Sequence, residues 1–172
     1  MSIARQARRV AELLQQHRLR VVFAESCTGG LVSGALTRIP GISQYHCGAM
    51  VVYRSETKAA WLSVPQQDLK RFGPVSWRVV IQMAEEVLRR TPEANVSLAV
   101  TGHLGPQAPK RLDGVVYFKI ALRREGRAPQ HLAGFRARYP ASLSRQQRQQ
   151  RAVEDALKLL GDFLEQSAAS QR

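Results

Sequence analysis

Through its first hundred residues the chain alternates short β-branched runs with stretches of helical apolar periodicity, a pattern that few architectures satisfy. Ile3, Ala7, Val10, Leu13 and Leu14 share one helical face over residues 3–18, and residues 19–25 (LRVVFAE) follow as a buried strand. Ser26-Cys27-Thr28-Gly29-Gly30 then opens a second helix, carried by Leu31, Ala35, Leu36 and Ile39 until Pro40-Gly41 stops it. Residues 48–53 (GAMVVY) read as a strand and residues 55–62 as a short helix capped by Ser55 or started just after it, closed by Val64-Pro65. From the N-cap Ser76, the positions Val80, Met83, Ala84, Val87 and Leu88 give the strongest amphipathic helix signal of the chain.

The second half changes rhythm. Residues 96–101 (VSLAVT) form a strand ending at Gly102, and residues 103–113, rich in Pro, Gly and polar side chains, read as an exposed loop. Residues 114–122 and 130–137 are strands paired as a hairpin through residues 123–129. Val153, Ala156, Leu157, Leu160, Phe163 and Leu164 mark a last helix, with SAASQR as a frayed tail. Helices that separate the early strands and a direct pairing later predict an α/β fold, a three-layer α/β/α sandwich around a mixed sheet of about five or six strands. At 172 residues one domain is expected over 1–172, with its core at about 5–165.

Charge narrows the partners. Lys and Arg number 26 against 13 Asp and Glu, a formal net charge of +13, and between Gly126 and Val153 there is no carboxylate while Arg127, Arg136, Arg138, Arg145, Arg148 and Arg151 all occur. Such a balance attracts polyanions, although a solvated arginine-rich surface accounts for it equally. A partner nucleic acid therefore stays open, ranked below a small-molecule substrate because no aromatic RNA platform or DNA-reading motif stands out. No apolar run approaches the roughly 20 residues that cross a bilayer, and the first residues carry arginines inside their apolar pattern, so neither a membrane partner nor a secretory signal is expected. With two cysteines, Cys27 and Cys47, a cytoplasmic location is the simplest reading and a disulfide between them has no support. His17, His46, His103 and His131 show no ligand spacing, so no metal is assigned.

Ser26 is the residue most suited to chemistry, because it ends an apolar strand and starts a helix, where α/β proteins place ligands. The N–H groups of Thr28, Gly29 and Gly30 lie in the first turn and fit a phosphate or an oxyanion. By residue type alone the turn reads equally as a plain helix cap. Lys58, one of five lysines, begins a helix beside a strand end, and a partly buried amine can act as a base. His103, at another strand end, is readable as a general acid, as a substrate contact, or as a solvent-exposed loop residue.

The run Ala24-Glu25-Ser26-Cys27-Thr28-Gly29-Gly30-Leu31 with Leu36-Thr37-Arg38-Ile39-Pro40-Gly41 resembles the C-terminal domain of the CinA family, the nicotinamide mononucleotide deamidases. The resemblance continues through residues 48–53, Lys58, Leu62-Ser63-Val64-Pro65, Gly73-Pro74-Val75-Ser76, Met83-Ala84, Ala99-Val100-Thr101-Gly102, Gly105-Pro106 and Gly114, and covers residues 5–165. It implies hydrolysis of the carboxamide of nicotinamide mononucleotide to nicotinate mononucleotide and ammonia, with no metal or organic cofactor. The family's domain occurs alone or behind a larger N-terminal domain, and this chain is expected to be the stand-alone form; a homo-oligomer stays open. Carried over, the family's serine, tyrosine and lysine fall on Ser26, Tyr53 and Lys58 as catalytic residues, with Ser26 attacking the amide and Lys58 and Tyr53 relaying the proton. Thr101 and Gly102 fall at the strand-end substrate site beside Thr28, Gly29 and Gly30. The chain departs from the family at residues 107–114, where Gln-Ala-Pro-Lys-Arg-Leu-Asp-Gly replaces a glycine-rich loop, and in lacking a recognisable Gly-Asp-Arg near the C-terminus. Arg145 and Arg148 stand near that place and are the expected phosphate contacts. The altered loop leaves two other readings: a changed substrate, or a non-catalytic basic protein.

Overall fold

A computed structural model describes residues 2–123 and 129–169. Among these the chain folds as α1 (Ile3–His17), β1 (Val21–Glu25), α2 (Leu31–Leu36), β2 (His46–Val51), α3 (Ser55–Leu62), α4 (Gln66–Phe72), α5 (Trp77–Arg90), β3 (Val96–Gly102), β4 (Val115–Leu122), β5 (Gln130–Arg138) and α6 (Arg145–Ala169). The five strands form one mixed sheet in the order β2-β1-β3-β4-β5. β1 is parallel to both β2 and β3, while the β3–β4 and β4–β5 pairs are antiparallel.

Strand periodicity sorts the core into two halves, because successive side chains point to opposite faces. Val21, Phe23, Val96, Leu98, Val100, Phe118 and Ile120 pack beneath α1, α2 and α6, together with Leu14, Leu36 and Leu157. Val22, Ala24, Ala99 and Ala121 face α3, α4 and α5, together with Leu62, Val80, Met83 and Leu88. Sheet residues on this second face are small, and the buried Ser97 hydroxyl donates to the Ala84 carbonyl at 2.6 Å, so α5 sits close to the sheet. The result is the three-layer α/β/α sandwich, with the three parallel strands β1, β2 and β3 delivering their carboxyl ends to one end of the sheet.

Several boundaries differ from the sequence reading. β2 spans His46–Val51 rather than residues 48–53, which releases Tyr53 from the strand and leaves it exposed. α2 stops at Leu36, where the Thr37 hydroxyl turns back onto the Gly34 carbonyl. α4 had no expected counterpart; after Pro65 its seven residues bury Leu69 alone, so it carries almost no apolar period. α6 begins at Arg145, ahead of the apolar pattern at Val153, because Ser144 and Gln147 form a reciprocal capping box: the Gln147 N–H donates to Ser144 Oγ and the Ser144 N–H to Gln147 Oε1. Ser167 to Ala169, expected as frayed tail, continue that helix. The rest of that tail and residues 124–128 of the hairpin connection lie outside the described residues, although β4 and β5 pair as expected. Both cysteines are free. No helix among the described residues is long and apolar enough to cross a membrane.

Candidate active site

The carboxyl end of β1 delivers Ser26 directly to Lys58. The Lys58 amine lies 2.9 Å from Ser26 Oγ and donates to the Val52 carbonyl at 2.8 Å, with the Tyr53 carbonyl at 3.5 Å. The lysine is 1% exposed and the serine 6%. Residues 32 apart meet because β1 and β2 are adjacent and parallel: the Val52 N–H extends their ladder to the Glu25 carbonyl, and α3 then turns Lys58 back under the strand ends. Burial pushes the Lys58 amine down from 10.5 to about 8, since the interior solvates its ammonium form poorly.

The turn that holds Ser26 is fixed from three sides. Its N–H donates to the Val100 carbonyl on β3, the Cys27 carbonyl accepts from Gln149 of α6 at 3.0 Å, and the fully buried Glu25 carboxylate caps α2. That cap is extensive: the N–H groups of Gly30 and Val32 donate to Glu25 Oε2 at 2.9 and 3.2 Å, and that of Ser33 to Oε1 at 2.8 Å. The Gly29 N–H is taken by the Ser26 carbonyl. Gly29 and Gly30, expected to bind substrate through their amides, are therefore occupied within the chain, because a carboxylate of the preceding strand already satisfies the helix start. No backbone partner is made by the Cys27 or Thr28 N–H among the described residues, and the buried Thr28 hydroxyl has no hydrogen-bond partner. Glu25→Ala strips one buried and two part-buried donors of their acceptor, and the expected result is a stability loss of about 2 kcal/mol in urea unfolding, with Glu25→Gln losing less.

A cleft of about 190 Å³ opens in front of Ser26 and Lys58, lined also by Cys27, Tyr53, Thr101, His103 and Arg145. Thr101 is fully buried and its hydroxyl donates to the Pro74 carbonyl at 2.8 Å, while Gly102 continues β3 into the wall. Tyr53 stands at the rim. Its hydroxyl accepts from Arg145 at 2.7 Å, so in this arrangement it is its main-chain carbonyl that faces the Lys58 amine. Arg145 also donates to the Gly105 carbonyl at 2.5 Å.

Arg148, paired with Arg145 in the sequence reading as a phosphate contact, does something else. It is 4% exposed, forms a bidentate pair with Asp113 at 2.8 and 3.1 Å, and donates to the Leu104 and Pro140 carbonyls. Its hydrogen bonds are spent anchoring the loop, which explains why that loop is not uniformly exposed: Leu104 and Gly105 are buried. Gly105 is required there, since a Cβ would lie 2.7 Å from both the Arg148 guanidinium and the Asp113 carboxylate, at a φ of +67°. His103 lines the cleft half-buried rather than lying in solvent, with its imidazole pushed down by burial and by the nearby Lys58 charge.

A buried serine with a desolvated lysine on a mixed sheet restricts the relatives this chain can have. Residues 3–164 match the CinA C-terminal domain family. The chain belongs to that family. A CinA-like protein of Dictyoglomus thermophilum is 36% identical over 118 residues, and a putative competence-damage inducible protein of Desulforudis audaxviator 40% over 118. Each alignment covers 67% of this chain, and the chain spans 28% of the length of these two relatives. Among solved structures, competence/damage inducible protein CihA of Agrobacterium tumefaciens superposes with a TM-score of 0.85 at 34% identity, covering 95% of both chains. A competence damage-inducible protein A from Klebsiella pneumoniae gives 0.86 at 25% identity, covering 96% of this chain and 98% of that one. Within this CinA domain Glu25, Gln149 and Asp113 escaped the sequence reading. A carboxylate just before a glycine-rich helix start was a readable signal for the first, but nothing in the sequence pairs the other two with their partners.

Proposed function

We propose that this CinA domain is a serine-lysine amidohydrolase that converts nicotinamide mononucleotide to nicotinate mononucleotide and ammonia. The observation that carries it is the 2.9 Å contact between Ser26 Oγ and an amine held near pKa 8. When Lys58 is neutral, the Val52 and Tyr53 carbonyls hold its two N–H groups and its lone pair is left for the serine. Ser26 Oγ then attacks the carboxamide carbon as its proton passes to Lys58. The Cys27 and Thr28 amides are the turn's remaining donors for the oxyanion. As the C–N bond breaks, the Lys58 ammonium returns the proton to the departing nitrogen, giving ammonia and an ester on Ser26. Water, deprotonated by Lys58, hydrolyses that ester and restores both groups.

The cleft is smaller than the roughly 300–1,000 Å³ of most ligand pockets, so it takes the pyridine ring while ribose and phosphate lie at its mouth. Arg145 stands at that mouth, bonded to Tyr53 and Gly105 and to no carboxylate among the described residues. A phosphate engages such a guanidinium by charge-assisted hydrogen bonds, and freeing the Tyr53 hydroxyl from it makes that hydroxyl available to the proton relay. Purified protein is expected to release ammonia from nicotinamide mononucleotide faster than from nicotinamide riboside, which lacks the phosphate. Arg145→Gln raises KM for the nucleotide about tenfold and narrows that preference. Equal turnover of both compounds would mean a different substrate; no ammonia from either would remove the deamidase reading.

A further inference from the structure

The sheet carries a second surface far from Ser26 chemistry in its make-up. α5 covers β1, β3 and β4, but the outer strand β5 presents Leu132, Gly134, Arg136 and Arg138 outward on alternate positions. On β4 the same face shows Tyr117 opposite Arg136 and Lys119 opposite Gly134. Trp77, the first residue of α5, reaches across it: its indole packs edge-on to the Tyr117 ring at 5.1 Å and is 41% exposed. A Cβ on Gly134 would sit 3.3 Å from that indole and 2.6 Å from the Phe118 carbonyl, so the absent side chain is what lets the indole lie over β5. The Arg136 guanidinium stands 5.9 Å from the Tyr117 ring.

We propose that this exposed face of β4 and β5, built on Trp77, Tyr117, Lys119 and Arg136, binds single-stranded nucleic acid. The exposed Trp77 ring, buttressed by the half-buried Tyr117, offers a π-face on which unpaired bases stack whatever their sequence, and flanking cations neutralise the phosphates between them. Neither β4 nor β5 contains a carboxylate, and the two that α5 contains, Glu85 and Glu86, lie two turns beyond Trp77 and are paired with Arg89. Among the described residues the face thus has one sign of charge, in a chain of net charge +13. An acidic protein segment would satisfy the arginines but has no use for the ring faces, and duplex DNA hides its bases from them. This surface is independent of the deamidase reading and stands or falls separately.

The test is a fluorescence-anisotropy titration of a labelled oligothymidylate with the full chain at several salt concentrations. Binding is expected at low salt, weakening steeply as salt rises, with a duplex of the same length competing poorly. Trp77→Ala weakens binding about tenfold through lost stacking, and Arg136→Glu weakens it about tenfold while reducing the salt slope by about 1. Arg136 is exposed on an edge strand, so its variant reports on binding even if the tryptophan variant misfolds, and its ammonia release stays at the unmodified level. Absence of binding at low salt, or binding that Arg136→Glu leaves unchanged, overturns the proposal. So does self-association in sedimentation that Arg136→Glu abolishes while oligothymidylate affinity is unaffected, because the face would then belong to a second copy.

Discussion

Ser26→Ala is expected to lower kcat for ammonia release from nicotinamide mononucleotide by about 10⁴-fold or more, with the fold intact. The size of the loss follows from the absence of a substitute nucleophile in the cleft. Cys27 is the neighbouring candidate, but burial pushes its thiol up to about 12, so at neutral pH almost none of it is thiolate. Thr101 is buried with its hydroxyl committed to the Pro74 carbonyl. The fold survives because the alanine removes one partner of Lys58 and leaves the Val52 and Tyr53 carbonyls, enough for a neutral amine; the expected stability cost is about 1 kcal/mol. Rapid acid quench of the unmodified protein with substrate, followed by intact mass measurement, should show the nicotinate mononucleotide ester on Ser26. A Ser26→Ala protein that still turns over the nucleotide at more than a hundredth of the original rate would assign the attack to water and leave Ser26 as a structural residue.

What could be read from the sequence follows a physical division. α5 was legible because Val80, Met83, Ala84, Val87 and Leu88 are all buried against one sheet face, so its periodicity and its packing are the same fact. β1 and β3 were legible because parallel central strands are apolar on both faces. α4 was not, since it touches the core through Leu69 alone, nor was the first turn of α6, which is held by Ser144 and Gln147 rather than by apolar spacing. At the site, local pattern left Ser26 and Lys58 undecided; the family resemblance singled them out, and it is β1-β2 pairing, a long-range event, that brings them into contact. The error over Gly29 and Gly30 has the opposite origin. A bare helix start does attract anions, but Glu25 answers that attraction from inside the chain, and only the fold shows which way its carboxylate turns. Arg145 and Arg148 are three apart on one helix, yet the first faces the cleft and the second is drawn inward by Asp113.

Lys58→Met is expected to separate catalysis from stability. Activity falls about 10³-fold, because the serine proton has lost its acceptor. Stability carries its own dependence on pH. Lys58 ionises near 8 in the fold and near 10.5 when unfolded, so between those values the unfolded chain binds more protons, and stability rises with pH. Below about pH 8 both states are protonated and the fold carries the full burden of an ammonium buried among Val52, Tyr53 and Ser26 carbonyl and hydroxyl groups, at most about 3 kcal/mol. Methionine, close in length and uncharged, removes that burden while losing the hydrogen bonds. Relative to the variant, the unmodified chain should therefore gain stability from pH 8 toward pH 10.5, read as the difference between their urea midpoints, whatever other groups titrate in common. The same ionisation governs the rate: kcat/KM should climb through about pH 8 as the amine becomes neutral, then level off. A kcat/KM that is flat across that range, together with a midpoint difference that does not change with pH, would mean that Lys58 keeps its ordinary ionisation and cannot be the base that activates Ser26.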